Sequence, residues 1–139
     1  MTQTEWSYIL NTRTTSSGIR YAKAKVNDVN GVIMLPDDWS SDTYSLSNTN
    51  TYDASFSSNT ISASQWNTLE QAGAVFLPAA GYRDGTSVYN VGSYGHYWSA
   101  SYEGIRYAHC VLFYDSNLYT VSYYDRDRGF SVRLARVAE

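Results

Sequence analysis

Cysteine is almost missing from this chain, with Cys110 the single one in 139 residues. One thiol excludes an internal disulfide framework and any multi-cysteine metal site, and it leaves the redox compartment open. Charge is also scarce. Charged residues make up 17% and the formal net charge is −3, which excludes both a basic nucleic-acid binder and a disordered acidic chain. No run approaches the ~18 consecutive apolar residues of a membrane-spanning helix. The N-terminus lacks a basic segment followed by an apolar one, so the chain is expected neither to insert in a membrane nor to carry its own export signal. What is present is an apolar fraction of 43%. In a chain of this length folding buries roughly 68% of the extended surface, enough for one real core, and a single domain over residues 1–139 is expected.

Tyrosine is the outlier. Of fourteen tyrosines, ten fall between positions 82 and 124, from Tyr82 to Tyr124. Residues 1 to 81 hold both methionines, both prolines and all three glutamines, whereas 94 to 128 contain no Lys, Met, Gln or Pro. The later stretch is a mixture of Tyr, Ser, Asp, Arg, Gly and His. Such a composition resembles an antibody paratope, where tyrosine gives a large amphipathic contact area at low rotamer cost and small polar residues adapt their hydrogen bonds. Tyrosine is equally a good strand residue, so a sheet-rich second half would raise its count with no binding role.

Local signals organise the chain. Thr2-Gln3-Thr4-Glu5 has the form of a capping box ahead of Trp6, Ile9 and Leu10, and predicts a helix over about 3–11. Ser62-Ala63-Ser64-Gln65 repeats the signal ahead of Trp66 and Leu69, with Gly73 as the stop, and predicts a helix over about 63–72. Ile19 to Val26 and Val29 to Leu35 form a hairpin around Asn27-Asp28. Residues 40 to 60, rich in Ser, Thr, Asn and Asp, are expected to be a long surface loop lightly pinned by Leu46, Tyr52 and Phe56. Ala74 to Pro78 is a brief buried strand, and Gly81 to Gly95 a glycine-punctuated connection. A strand over about 107–114 sets Val111 and Phe113 on one face and Cys110, Leu112 and Tyr114 on the other. The alternation of Phe130, Val132 and Leu134 with Ser131, Arg133 and Ala135 predicts a last strand with one face in the core. Early helices and a strand-rich end indicate an α+β domain.

Glu5-Trp6, Asn11-Thr12-Arg13, Val32 to Trp39 (VIMLPDDW), Phe76 to Arg83 (FLPAAGYR), Tyr97-Trp98-Ser99 and Gly129 to Arg133 (GFSVR) occur in order over almost the whole chain. In these segments the sequence resembles the major paralogous domain of Fibrobacter succinogenes and of Bacteroidetes or their phages. That domain is related to the C-type-lectin-fold variable proteins of diversity-generating retroelements. The resemblance implies a C-type lectin fold close to that of formylglycine-generating enzymes, with two short helices and small mixed or antiparallel sheets. It also implies a segment, about 94–128, diversified by miscopying of template adenines. Asn codons altered in this way never yield Lys, Gln, Met, Trp or Glu, and within 94–128 only Trp98 and Glu103 fall outside the permitted set.

By the same resemblance the fixed framework comprises Trp98, Ser99, Ala108, Val111, Phe113, Arg126, Gly129, Phe130, Val132 and Arg133. The variable, ligand-binding face comprises His96, Tyr102, Ile105, Arg106, Tyr107, His109, Cys110, Leu112, Tyr114, Tyr119, Tyr123, Tyr124, Asp125 and Asp127, with Tyr94 and Arg128 at its margin. A packed scaffold that holds an exchangeable surface is physically coherent.

His96 and His109 are too few for a zinc site and are read as surface histidines. Cys110 is a candidate nucleophile by its chemistry, but is read instead as an accidental product of the codon diversification or a small half-buried filler. The cysteine pair of formylglycine-generating enzymes is missing, so the fold does not carry that activity across. Asp37, Asp38, Asp42 and Asp53 lack the spacing of an EF-hand loop, and the Glu-Pro-Asn, Gln-Pro-Asp and Trp-Asn-Asp motifs of calcium-dependent lectins are absent. No metal or other cofactor and no catalytic residue is therefore assigned. The expected function is non-enzymatic recognition, of receptor or adhesin type, of a protein or glycan on another cell or host surface. The expected setting is extracellular, on a cell surface or phage tail, with export directed from outside this chain. A structural subunit or stalk domain of a surface or pilus protein is the first alternative, and a formylglycine-generating-type enzyme the second.

Overall fold

The computed structural model describes residues 1–136, and β1 (Tyr21–Val26) and β2 (Val29–Met34) form its central hairpin. Asn27 and Asp28 between them both have positive φ, +47° and +65°, the two-residue turn whose twist matches that of antiparallel strands. β3 (Thr60–Ile61) adds in parallel to β1, and β4 (Val75–Pro78) adds antiparallel to β2, giving the order β3-β1-β2-β4.

Period-two alternation sends the two faces of this sheet into different clusters. Ala24, Val26, Ile33 and Leu35 meet Leu69 of α2 (Ala63–Gln71) and Trp39 from the following loop. Tyr21, Val32 and Leu77 meet Trp6, Leu10, Tyr97, Val111 and Phe113. Both expected capping boxes are present, Thr2 with Glu5 and Ser62 with Gln65. Gly73 ends α2 at φ +94°, a conformation costly for any residue with a Cβ. The first helix is shorter than expected. α1 (Gln3–Ser7) passes into a π-helical turn over Tyr8–Thr12.

The second half begins with a small hairpin of β5 (Tyr82–Asp84) and β6 (Ser87–Tyr89), which the glycine pattern had indicated only as a connection. The meander β7 (Gly95–Glu103), β8 (Tyr107–Tyr114) and β9 (Asn117–Asp125) follows, in the order β7-β8-β9. The chain is thus α+β, with two short helices and several small sheets.

A buried lysine joins the two larger sheets. Lys23 Nζ donates to the carbonyl oxygens of Tyr114 (2.7 Å) and Asp115 (3.2 Å) at the β8–β9 turn. Its side chain is fully buried, and that burial pulls the ammonium down to about 8 despite nearby Asp115. The Asp115 carboxylate accepts from Ser55 Oγ (2.8 Å) and Phe56 N (2.9 Å). The 40–60 segment is consequently held more firmly than a lightly pinned loop. Phe56 is buried, and Asn59, also buried, donates to the carbonyls of Lys23 and Ser47 while accepting from Ser47 N.

One expected strand does not form. Among the described residues after β9 the chain makes only isolated bridges, Gly129 to Arg83 and Ser131 to Tyr97. Val132 and Leu134 are exposed rather than in the core. Their alternation is real, but the parallel bridge of Ser131 to Tyr97 of β7 is not continued into a ladder that would turn it into a sheet face.

Candidate ligand-binding face

The β7-β8-β9 meander carries most of the expected binding residues, and its register decides where each one points. Tyr97, Val111, Phe113 and Leu118 lie on the inner side, in the core. Gly95 stands opposite Phe113, and a Cβ there would overlap the Phe113 ring. Thr120 also faces inward, accepting from Asn11 Nδ2 (2.9 Å) and sharing a hydrogen bond with Ser7 Oγ (3.1 Å). These contacts fix the first helix across the sheet.

Two irregularities bend the meander. Trp98 pairs with Cys110 and Tyr102 with Ala108, so residues 99 to 101 lie opposite His109 alone. In β9, Leu112 pairs with Tyr119 and Cys110 with Ser122, so Thr120 and Val121 lie opposite Val111 alone. Such bulges increase local twist and re-aim side chains.

The expected face divides into three groups. His96, Cys110, Leu112, Tyr114, Tyr119 and Tyr124 belong to the outward side by their register. Tyr107, His109, Tyr123 and Asp125 occupy register positions on the inner side, at the end of the sheet away from Phe113. There Tyr123 packs edge-on against Tyr107 and His109, and His109 Nε2 is 3.4 Å from Glu103. Tyr102, Ile105, Arg106 and Asp127 sit at the turn end of the meander, where Ile105 is 95% exposed and Tyr102 70%. The expected residues therefore lie on both sides of the sheet and around its β7–β8 turn, and do not tile a single face.

Arg126 is the brace of that end. Its guanidinium donates to the carbonyls of Tyr107 (3.2 Å) and Gly104 (3.0 Å) and lies 5.2 Å from the Tyr102 ring centroid. Arg106 pairs with Asp125, and Arg128 with Asp84 of β5. Exposed pairs of this kind are screened by solvent and add little to stability.

On the outward side three expected contact residues are buried: His96, Cys110 and Leu112. Reading His96 as a surface histidine is corrected by its surroundings. Phe130 stacks on Trp98 at 4.3 Å and lies 4.5 Å from the His96 ring, while Tyr82 and Tyr124 stand edge-on to His96 at 5.1 and 5.5 Å. Burial pushes His96 down to about 4, so its ring is neutral at physiological pH, and its Nδ1 has no hydrogen-bond partner. Burial pushes the Cys110 thiol up to about 12. A thiol so far from ionising is a poor nucleophile, and Cys110 is a fully buried filler rather than a half-buried one.

Around His96 the rings leave an open pocket of about 210 Å³, lined by Tyr82, Asn90, Tyr94, His96, Tyr124, Arg128 and Phe130. Five of its members, Tyr82, Asn90, Tyr94, Arg128 and Phe130, lay outside the expected binding residues or at their margin. Tyr82 and Phe130 stood in quoted motifs, but nothing in the sequence brought them to one place. Burial, with the neighbouring Cys110 thiol and tyrosine phenols, raises the Tyr124 phenol above its ordinary range. Among the described residues no three His, Cys, Asp or Glu side chains gather as a metal site, and no helix is long and apolar enough to cross a membrane.

Fold and site together define an α+β domain that holds an aromatic, partly open sheet face on a closed core. Residues 52–135 match the family described as Domain of unknown function (DUF8237), and the chain belongs to that family. No curated protein and no solved structure matches it.

Proposed function

We propose that this chain is a non-enzymatic recognition domain of receptor or adhesin type, with a C-type lectin fold and a diversified binding surface over about 94–128. The observation that carries the reading is the contrast in burial along one meander. Val111 and Phe113 are fully buried, whereas Tyr102, Tyr119 and Tyr123 are 70%, 43% and 57% exposed. Of the ten tyrosines from Tyr82 to Tyr124, Tyr97 alone is buried. Side chains of that exposure add little to the core, yet they present the amphipathic area that recognition surfaces use. The buried, un-ionised Cys110 supports recognition over peptide oxidation. The partner is a protein or glycan on another cell or host surface, and the setting is a cell surface or phage tail. Repeated display would raise avidity without new contacts.

The test is cell capture by the chain displayed on beads, run against a panel of bacterial and epithelial cells. Replacing Tyr102, Tyr119 and Tyr123 together by Ser should abolish capture while leaving the melting temperature within a few degrees. A large fall in melting temperature with capture intact would favour the structural-subunit alternative.

A further inference from the structure

Taking the outward face as a recognition surface, we propose that the pocket around His96 binds one neutral sugar ring, held without a metal ion by aromatic faces and phenol hydroxyls. Size is the first constraint. About 210 Å³ lies below the ~300–1,000 Å³ of sites for drug-sized ligands, so the pocket takes a single ring and leaves the rest of a ligand outside.

Charge is the second. Arg128 is the one cation in the lining, and it is paired with Asp84 while Asp127 lies 3.9 Å from its Nε. One positive and two negative groups leave this rim unfavourable for an anion. A cation meets a different obstacle, because Arg128 already stands 6.0 Å from the Tyr82 centroid and Phe130 is stacked on Trp98. The ligand that remains is neutral.

Polarity is the third constraint. The side chains of Tyr82, Asn90, Tyr94 and Tyr124 make no hydrogen bond to another protein group among the described residues, although all line one pocket. An apolar or aromatic side chain filling that space would strand these groups without partners, a loss of the kind that buried polar atoms avoid. A pyranose satisfies both demands. Its C–H face packs on a tyrosine ring and its hydroxyls exchange hydrogen bonds with phenols and the Asn90 amide.

The test is NMR titration of the whole chain with methyl glycosides of glucose, galactose, mannose, fucose and N-acetylglucosamine. Choline, inorganic phosphate and N-acetyltyrosine amide serve as cationic, anionic and aromatic comparators. At least one glycoside should bind in the millimolar range, shift His96 and Tyr124 resonances, and do so equally in EDTA. Tyr124→Phe, which deletes one hydroxyl and keeps the ring, should weaken it about tenfold. Asn90→Gly, suited to the left-handed backbone at Asn90 (φ +57°), should also weaken it. The proposal is overturned if no glycoside shifts those resonances, if EDTA abolishes binding, or if a comparator binds more tightly than every glycoside. Periodate treatment of captured cells separates this inference from the broader reading. Loss of capture supports the sugar, whereas undiminished capture that still depends on Tyr102, Tyr119 and Tyr123 keeps recognition and overturns the sugar.

Discussion

Acidification should unlock the aromatic face through a single ring. His96 is 3% exposed among Tyr82, Tyr94, Tyr124 and Phe130, and its folded value of about 4 lies below the ordinary 6.5. Between those values the unfolded chain binds a proton that the folded chain does not. The contribution of this ring to stability is therefore complete above pH 6.5 and falls as the pH drops toward 4, by at most about 3 kcal/mol at ~1.36 kcal/mol per pH unit. Urea unfolding at intervals from pH 7 to pH 4 measures this, and His96→Phe supplies a ring without a titrating nitrogen. Subtracting the variant's pH profile removes contributions from the carboxylates, whose losses occur in both proteins. The difference should show the sloping loss, and the imidazole resonance followed by NMR should titrate near 4. An imidazole that titrates at 6.5 or above, or two parallel profiles, would refute the reasoning that this ring is buried and neutral.

Further consequences follow from the same packing. Cys110 should resist iodoacetamide in the native state at pH 8 and react at the rate of global unfolding, since its thiol is buried and held near 12; rapid native labelling would contradict this. Gly95→Ala forces a Cβ into the Phe113 ring and should cost about 1–3 kcal/mol or more in chemical denaturation. Asp115→Ala removes the acceptor for Phe56 N and Ser55 Oγ and should cost about 1–3 kcal/mol, with faster amide exchange at Phe56 as the local signature.

Much of the framework could be read from short-range chemistry. The capping boxes at Thr2 and Ser62, the Asn27-Asp28 turn and the Val111/Phe113 alternation are local, and each forms as its residues dictate. The failures share a physical cause. Cys110 and Leu112 alternate with core residues, so period alone puts them outside. They are buried because the outward side is itself partly roofed, with Phe130 laid on Trp98 and against His96. Val132 and Leu134 show the converse, a core-like alternation whose single bridge to β7, at Ser131, leaves them exposed. Coverage of a sheet face depends on segments distant in sequence, as Arg83 bridging Gly129 illustrates. The bulges opposite His109 and Val111 likewise arise from pairing and not from the strands' own composition. The expected binding residues were thus legible as a composition, while their separation onto two sides and a tip was not.

A closed interior should leave the aromatic surface free to change. Saturation mutagenesis of the displayed chain, scored by protease resistance, measures that at every position at once. Tyr102, Ile105, Tyr119 and Tyr123 should accept nearly every residue without loss of resistance, whereas Val111, Phe113 and Gly95 should accept almost none. Resistance that collapses on replacing the four exposed residues would contradict the account.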